Sequence, residues 1–239
     1  MFRGAITALV TPFKNGHVDE DALRNLIEDQ IAGGIDGLVP CGTTGESPTL
    51  SHDEHDRVIE ITIDAAKKRV PVIAGTGSNS TAEALRLTKH AQEAGADGAL
   101  IACPYYNKPT QEGIYQHFEL IAKNVPIPMI PYNIPGRTGV NMSPELIARL
   151  SKISNIVGIK EASGSLKQMN DVIDLCAPDF DVLSGDDGLT IPLMAIGGKG
   201  VISVASNLVP RDVSSMIDAM EAAGDLRGAR ALHAKMSPL

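Results

Sequence analysis

The apolar run at residues 156–160, Ile-Val-Gly-Ile-Lys, ends in Lys160. A lysine that closes a buried strand is costly to desolvate as an ammonium, so its amine tends toward the neutral, nucleophilic form that condenses with a carbonyl. Taken alone, the motif fits as well a strand-end lysine whose charged head reaches solvent along its stem. Its company favours chemistry. The segment Gly42-Thr43-Thr44-Gly45-Glu46 sets two hydroxyls between glycines that let backbone amides approach a ligand, a combination suited to a carboxylate. Three of the four tyrosines fall in two short segments, Tyr105 and Tyr106 after one apolar run and Tyr132 at the end of the next. With Tyr132 beside Lys160 and Thr43 approaching from across, hydroxyls could carry the protons that imine formation exchanges. Arg137, a permanent and forked cation, suits a second carboxylate at the entrance.

Positioning these groups requires several strands that end on one rim. Short β-rich runs at residues 5–10, 37–40, 70–74, 98–102, 127–132, 156–160, 181–184 and 200–204 alternate with amphipathic segments. Helix starts are marked by Asp19, by Ser51 with Glu54, by Ser80 with Glu83, and by Ser143-Pro144; glycines at 33, 34 and 95 mark helix ends. Strand-helix units spaced by about thirty residues imply right-handed parallel crossovers. Eight of them predict a (β/α)8 TIM barrel with the reactive groups at the C-terminal strand ends. An open doubly wound sheet is the alternative, but no G-x-G-x-x-G follows the first strand. The barrel is expected over residues 1–223, and 224–239 read as the start of a shortened C-terminal helical extension.

With 239 residues and 43% hydrophobic content the chain can bury a large core. A net charge of −8 without a basic cluster argues against nucleic acid or an acidic membrane surface as partner. The absence of a signal-peptide pattern or membrane-length apolar run sets the expectation of a cytoplasmic protein that acts on small molecules. Cys41, Cys103 and Cys176 are too dispersed for a disulfide framework and read as reduced core thiols, with Cys41 and Cys103 near the base of the site. Gly197-Gly198-Lys199-Gly200 permits a phosphate-binding barrel, although a tight turn into the last strand is simpler.

Gly42-Thr43-Thr44-Gly45-Glu46, Tyr132-Asn133-Ile134-Pro135 and Gly158-Ile159-Lys160-Glu161, in this order, resemble the pyruvate-dependent class I aldolase family over the whole chain. Within it, Arg137 in its loop and Pro104-Tyr105-Tyr106 point to the lysine-biosynthetic branch, which condenses pyruvate with L-aspartate semialdehyde. A retro-aldol lyase for a sugar acid such as N-acetylneuraminate, or a non-catalytic barrel that binds 2-oxo acids, are the alternatives. The resemblance implies that Lys160 forms the imine, Tyr132 is the neighbouring acid/base, Thr43 links the hydroxyls and Tyr106 completes the relay from another subunit. It implies Thr44 at the pyruvate carboxylate, Arg137 at the aldehyde's carboxylate, and the Ile202 backbone close to the lysine. It further implies a homotetramer without cofactor or metal, and more C-terminal helices than residues 224–239 provide.

The same resemblance implies feedback inhibition by L-lysine. Ser47, His52, His55, Asn79, Glu83 and Tyr105 match the effector pocket of regulated members, with Glu83 at the α-amine, Asn79 and Tyr105 at the carboxylate, and the histidines at the side-chain end. Independently of it, Glu83 pairs with Ser80 as a capping box, and His52 with His55 make only a weak zinc motif, the histidines being i and i+3.

Overall fold

The computed structural model describes residues 1–239, apart from the side chains at 222 and 223. The barrel strands are β1 (Gly4–Ala8), β2 (Gly37–Val39), β3 (Ile73–Gly75), β4 (Gly98–Ala102), β5 (Met129–Asn133), β6 (Gly158–Glu161), β7 (Asp181–Ser184) and β8 (Gly200–Ser203). All eight are parallel, and β1 pairs with both β2 and β8. A parallel bridge between Leu38 and Val72 joins β2 to β3 and closes the cylinder, which removes the open-sheet alternative. Gly75 makes that closure sterically possible: a Cβ there would lie 2.2 Å from the carbonyl oxygen of Cys41.

The runs expected from sequence appear with ends shifted by up to three residues. Strand β6 extends one residue past Lys160, to Glu161. Helices α1 (Glu20–Ala32), α2 (His52–Ala66), α3 (Thr81–Ala94) and α4 (Gln111–Asn124) follow the first four strands. A single turn, α5 (Pro135–Thr138), precedes α6 (Pro144–Leu150), and α7 (Leu166–Leu175), α8 (Thr190–Ala195) and α9 (Pro210–Ala223) complete the outer ring. Helix α10 (Leu226–Met236) follows α9. The side chains of Asp19, Ser51, Ser80 and Ser143 cap α1, α2, α3 and α6, each accepting from an amide of the first turn. Ser51 and Glu54 form the full reciprocal box. Glu83 does not reach back to Ser80; the Ser80 amide is bonded to Ser78 Oγ, and the Glu83 carboxylate points elsewhere.

Alternation along the strands divides the side chains between two environments. Ile6, Val39, Ile73, Leu100, Ile130, Tyr132, Leu183 and Ile202 fill the barrel interior. The opposite faces pack under the helices, as with Ile101, Met129, Ile159 and Val182 on one side and Ala5, Leu38 and Val201 on the other. No helix among the described residues is long and apolar enough to cross a membrane.

Candidate active site

Strands β5 and β6 pair in the register Tyr132 with Lys160 and Asn133 with Glu161. The parity that sends Ile130 inward also sends Tyr132 inward, and Lys160 lies across from it, its Nζ 4.2 Å from the centre of the phenol ring. Lys160 is 5% exposed. Burial, reinforced by the Arg137 charge and partly offset by the attraction of Asp187, pushes its amine down to about 8. At pH 7 that leaves roughly one amine in ten neutral, against roughly one in three thousand for an unperturbed lysine. Burial also raises the Tyr132 phenol, which therefore holds its proton.

These two side chains form the floor of a cavity of about 250 Å³ at the C-terminal strand ends, lined also by Thr43, Thr44, Arg137, Gly185 and Val204. Thr43 and Thr44 enter from the β2 exit, where Cys41 and Glu46 adopt left-handed backbone conformations that turn the segment over the rim. Arg137 sits on α5, exposed, and makes no ion pair among the described residues, so its guanidinium is free at the mouth. Cys41 lines the cavity, whereas Cys103 is buried under the helices; burial holds both thiols in the protonated form, Cys103 pushed up to about 12.

Several expected residues lie elsewhere. Tyr106 is 88% exposed and has a φ of 71°, so within one chain it is outside the cavity. No hydrogen bond joins Thr43 to Tyr132 among the described residues, and the hydroxyl relay is therefore not closed in a single subunit. Ile202 is fully buried in the barrel interior and does not line the cavity. Lys199 of the Gly-rich run lies at the other end of the barrel, its carbonyl bonded to the Gly4 amide and its side chain away from the mouth. The phosphate-binding alternative has no support there.

Sequence reading missed Gly185 and Asp187. A Cβ on Gly185 would lie 2.8 Å from the Ala162 Cβ, 3.0 Å from Lys160 Cε and 3.2 Å from its Cγ, so any side chain there would crowd the lysine stem and the residue beside it. Asp187 accepts from Ser203 Oγ at 2.5 Å and from the Val204 and Ala205 amides at 3.0 and 3.1 Å, and supplies the negative charge that Lys160 feels. The signal for both was their place, Ser-Gly-Asp-Asp directly after a strand on the reactive rim.

A second cleft of about 160 Å³ adjoins the first and shares Ser47, Pro48, Gly77 and Tyr105 with it. His52, His55 and Glu83 line it; Asn79 does not. Glu83 is bonded to His52 Nε2 at 2.8 Å and to Ser78 Oγ, which together hold its carboxyl below the usual range. His55 is buried, its Nε2 3.0 Å from the Gly75 carbonyl, and burial lowers its pKa. The two histidines thus bind different partners and make no zinc site between them.

The dihydrodipicolinate synthetase family model matches residues 1–239. The chain belongs to the dihydrodipicolinate synthetase family. It is 72% identical to the 4-hydroxy-tetrahydrodipicolinate synthase of Syntrophus aciditrophicus (strain SB), over 100% of this chain and 82% of that protein. Among solved structures it superposes on the dihydrodipicolinate synthase of Aquifex aeolicus with a TM-score of 0.97 at 51% identity, covering 99% of this chain and 81% of the other. A lysine-bound enzyme of the family from Cyanidioschyzon merolae is 44% identical with a TM-score of 0.95, over 98% of this chain and 80% of that one. Membership in this family makes the protein a lyase of the class I aldolase type.

Proposed function

We propose that this chain is a 4-hydroxy-tetrahydrodipicolinate synthase and that Lys160, Tyr132, Thr43, Thr44 and Arg137 carry the reaction. The observation that bears most weight is a buried lysine, its amine pushed down to about 8, in one cavity with the Thr43-Thr44 turn and the Arg137 guanidinium. The Lys160 amine adds to the 2-oxo carbon of pyruvate, and loss of water from the carbinolamine gives the imine. The turn at Thr43 and Thr44 receives pyruvate's carboxylate. Removal of a methyl proton yields an enamine, which forms the new carbon–carbon bond to the aldehyde carbon of L-aspartate semialdehyde. Tyr132, kept protonated by burial, donates to the resulting alkoxide. Arg137 pairs with the carboxylate of the aldehyde, and the substrate's own amine then displaces Lys160 from the imine, closing the ring and freeing the enzyme.

Tyr106, projecting from the rim, fits a role in the cavity of a second copy, with the homotetramer of the sequence reading as the assembly that supplies it. The adjoining cleft takes L-lysine, its α-amine on Glu83 and its side-chain end at His52 and His55, in keeping with the lysine-bound relative. A coupled assay with pyruvate and L-aspartate semialdehyde tests the assignment. Formation of the cyclic product is expected; turnover of N-acetylneuraminate without condensation would move the enzyme to the sugar-acid lyases.

A further inference from the structure

One position beyond the reacting pair, β5 and β6 present a second cross-strand pair, Asn133 and Glu161, on the outward face. Both side chains are fully buried. Buried polar groups of this kind require partners, and here the partners are specific. Asn133 Nδ2 donates to Glu161 Oε2 at 3.0 Å and to Asn141 Oδ1 at 2.8 Å, while Asn133 Oδ1 accepts from the Met142 amide at 3.0 Å. Glu161 Oε1 accepts from the Ser163 amide at 2.6 Å, and Gln168 Nε2 donates to Glu161 Oε2 at 3.4 Å.

The loop that carries Arg137 leaves β5 directly after Asn133 and returns at Asn141 and Met142. The Asn133 side chain therefore closes this loop onto its own first residue. Within it, Thr138 Oγ1 lies 3.0 and 2.9 Å from the Ile134 and Val140 carbonyls and donates its one proton to one or the other, so the turn is held from inside as well. Glu161 ties the closed loop to the strand of Lys160, one residue from the amine. No cation is bonded to Glu161; all its described partners are neutral donors. Oxygen is needed at both Glu161 positions: an amide in its place sets an N–H against the Ser163 amide or against Asn133 Nδ2.

We propose that the Asn133–Glu161 pair is a positioning device that fixes the Arg137 guanidinium against the Lys160 imine, and so sets recognition of the second substrate's carboxylate apart from recognition of pyruvate. It rests on the assignment of Arg137 to that carboxylate.

The test compares Asn133→Asp, Glu161→Gln, the double variant and Arg137→Ala on the full chain, by steady-state kinetics and by borohydride trapping of the pyruvate imine. Asn133→Asp opposes two carboxylates, Glu161→Gln opposes two donors, and the double variant restores a donor facing an acceptor. Each single substitution is expected to raise KM for L-aspartate semialdehyde by about tenfold, with KM for pyruvate and imine trapping within about twofold. The double variant should recover most of the loss, which shows that the two residues act as a pair; the split between the substrates, with pyruvate spared, is what a merely structural role would not produce. Should a single variant fail to fold, Asn141→Ala, at an exposed residue bonded to Asn133, is expected to raise the same KM about threefold. Equal effects on both substrates, wild-type KM for the aldehyde in every folded variant, or no recovery in a folded double variant would overturn the proposal. If Arg137→Ala spares the aldehyde, the assignment of Arg137 falls and takes the proposal with it; if it impairs the aldehyde while the pair variants do not, the positioning role alone falls.

Discussion

The imine cavity and the cleft beside it share four wall residues yet are prepared in opposite ways. The floor of the cavity holds an amine taken out of water without a hydrogen-bonded partner, together with a phenol also raised by burial. The cleft holds a carboxylate already satisfied by His52 and Ser78, with His52 and Glu83 59% and 39% exposed. A buried unpaired group is a reactive one, whereas an exposed, satisfied pair exchanges partners at small net gain. The first arrangement suits chemistry and the second suits reversible occupation by a charged effector. Between them, His55 reaches from the cleft to the carbonyl of Gly75, a residue of the cavity wall.

The largest test of that contrast is Lys160→Met. Activity is expected to fall on the order of 10⁵-fold or more, since no other group in the cavity can form the imine. The same change should stabilise the fold. Between about pH 8, where the native amine takes its proton, and 10.5, where an ordinary solvated lysine does, the unfolded chain binds more protons. Wild-type stability therefore rises with pH across that window, and below it the whole penalty, on the order of 3 kcal/mol, is present. Thermal melts at pH 7 should show the variant more stable and at pH 10.5 much less so; a variant less stable than wild type at pH 7 would mean that the amine is not buried at a cost.

Arg137→Ala should raise KM for L-aspartate semialdehyde by about tenfold to a hundredfold, the worth of a charge-assisted carboxylate contact, and leave imine formation intact. Loss of both functions in folded protein would show that the two ends of the cavity are not separate. A smaller effect sharpens the contrast through pH. Because only the neutral amine adds to pyruvate, kcat/KM for pyruvate should rise about tenfold per pH unit and level off above about 8. A profile still rising at pH 10 would place the amine in water. The cleft should show the weakest response: L-lysine inhibits partially, with coupling of about 1 to 3 kcal/mol, and Glu83→Ala abolishes its heat of binding in calorimetry. Equal binding to the variant would remove Glu83 from the effector site.

Much of this was legible in the residues. The barrel follows from repeated strand-helix spacing, and the ends of β4 and β7 fall where the apolar runs end because Ala102 and Ser184 are followed by residues that break the pattern. Lys160, Tyr132, Thr43, Thr44 and Arg137 stand out in the sequence as candidates because they are reactive or charged side chains near the ends of apolar runs. Gly185 was not, since its role is the absence of a side chain where Lys160 must pass, and that close approach exists only after folding. Asn133 and Glu161 stood inside the quoted motifs but faced away from the cavity, so their joint closure of the Arg137 loop needed the β5–β6 register. Glu83 matched a capping box by spacing, while the competing Ser78 and His52 are brought to it only by tertiary structure.

The most direct measurement is borohydride reduction in the presence of pyruvate, followed by peptide mass mapping. A single stable adduct on the peptide containing Lys160 is expected, absent in Lys160→Met and formed faster at pH 8 than at pH 6. An active enzyme that yields no adduct, or an adduct on another lysine, would contradict the placement of the reaction at Lys160.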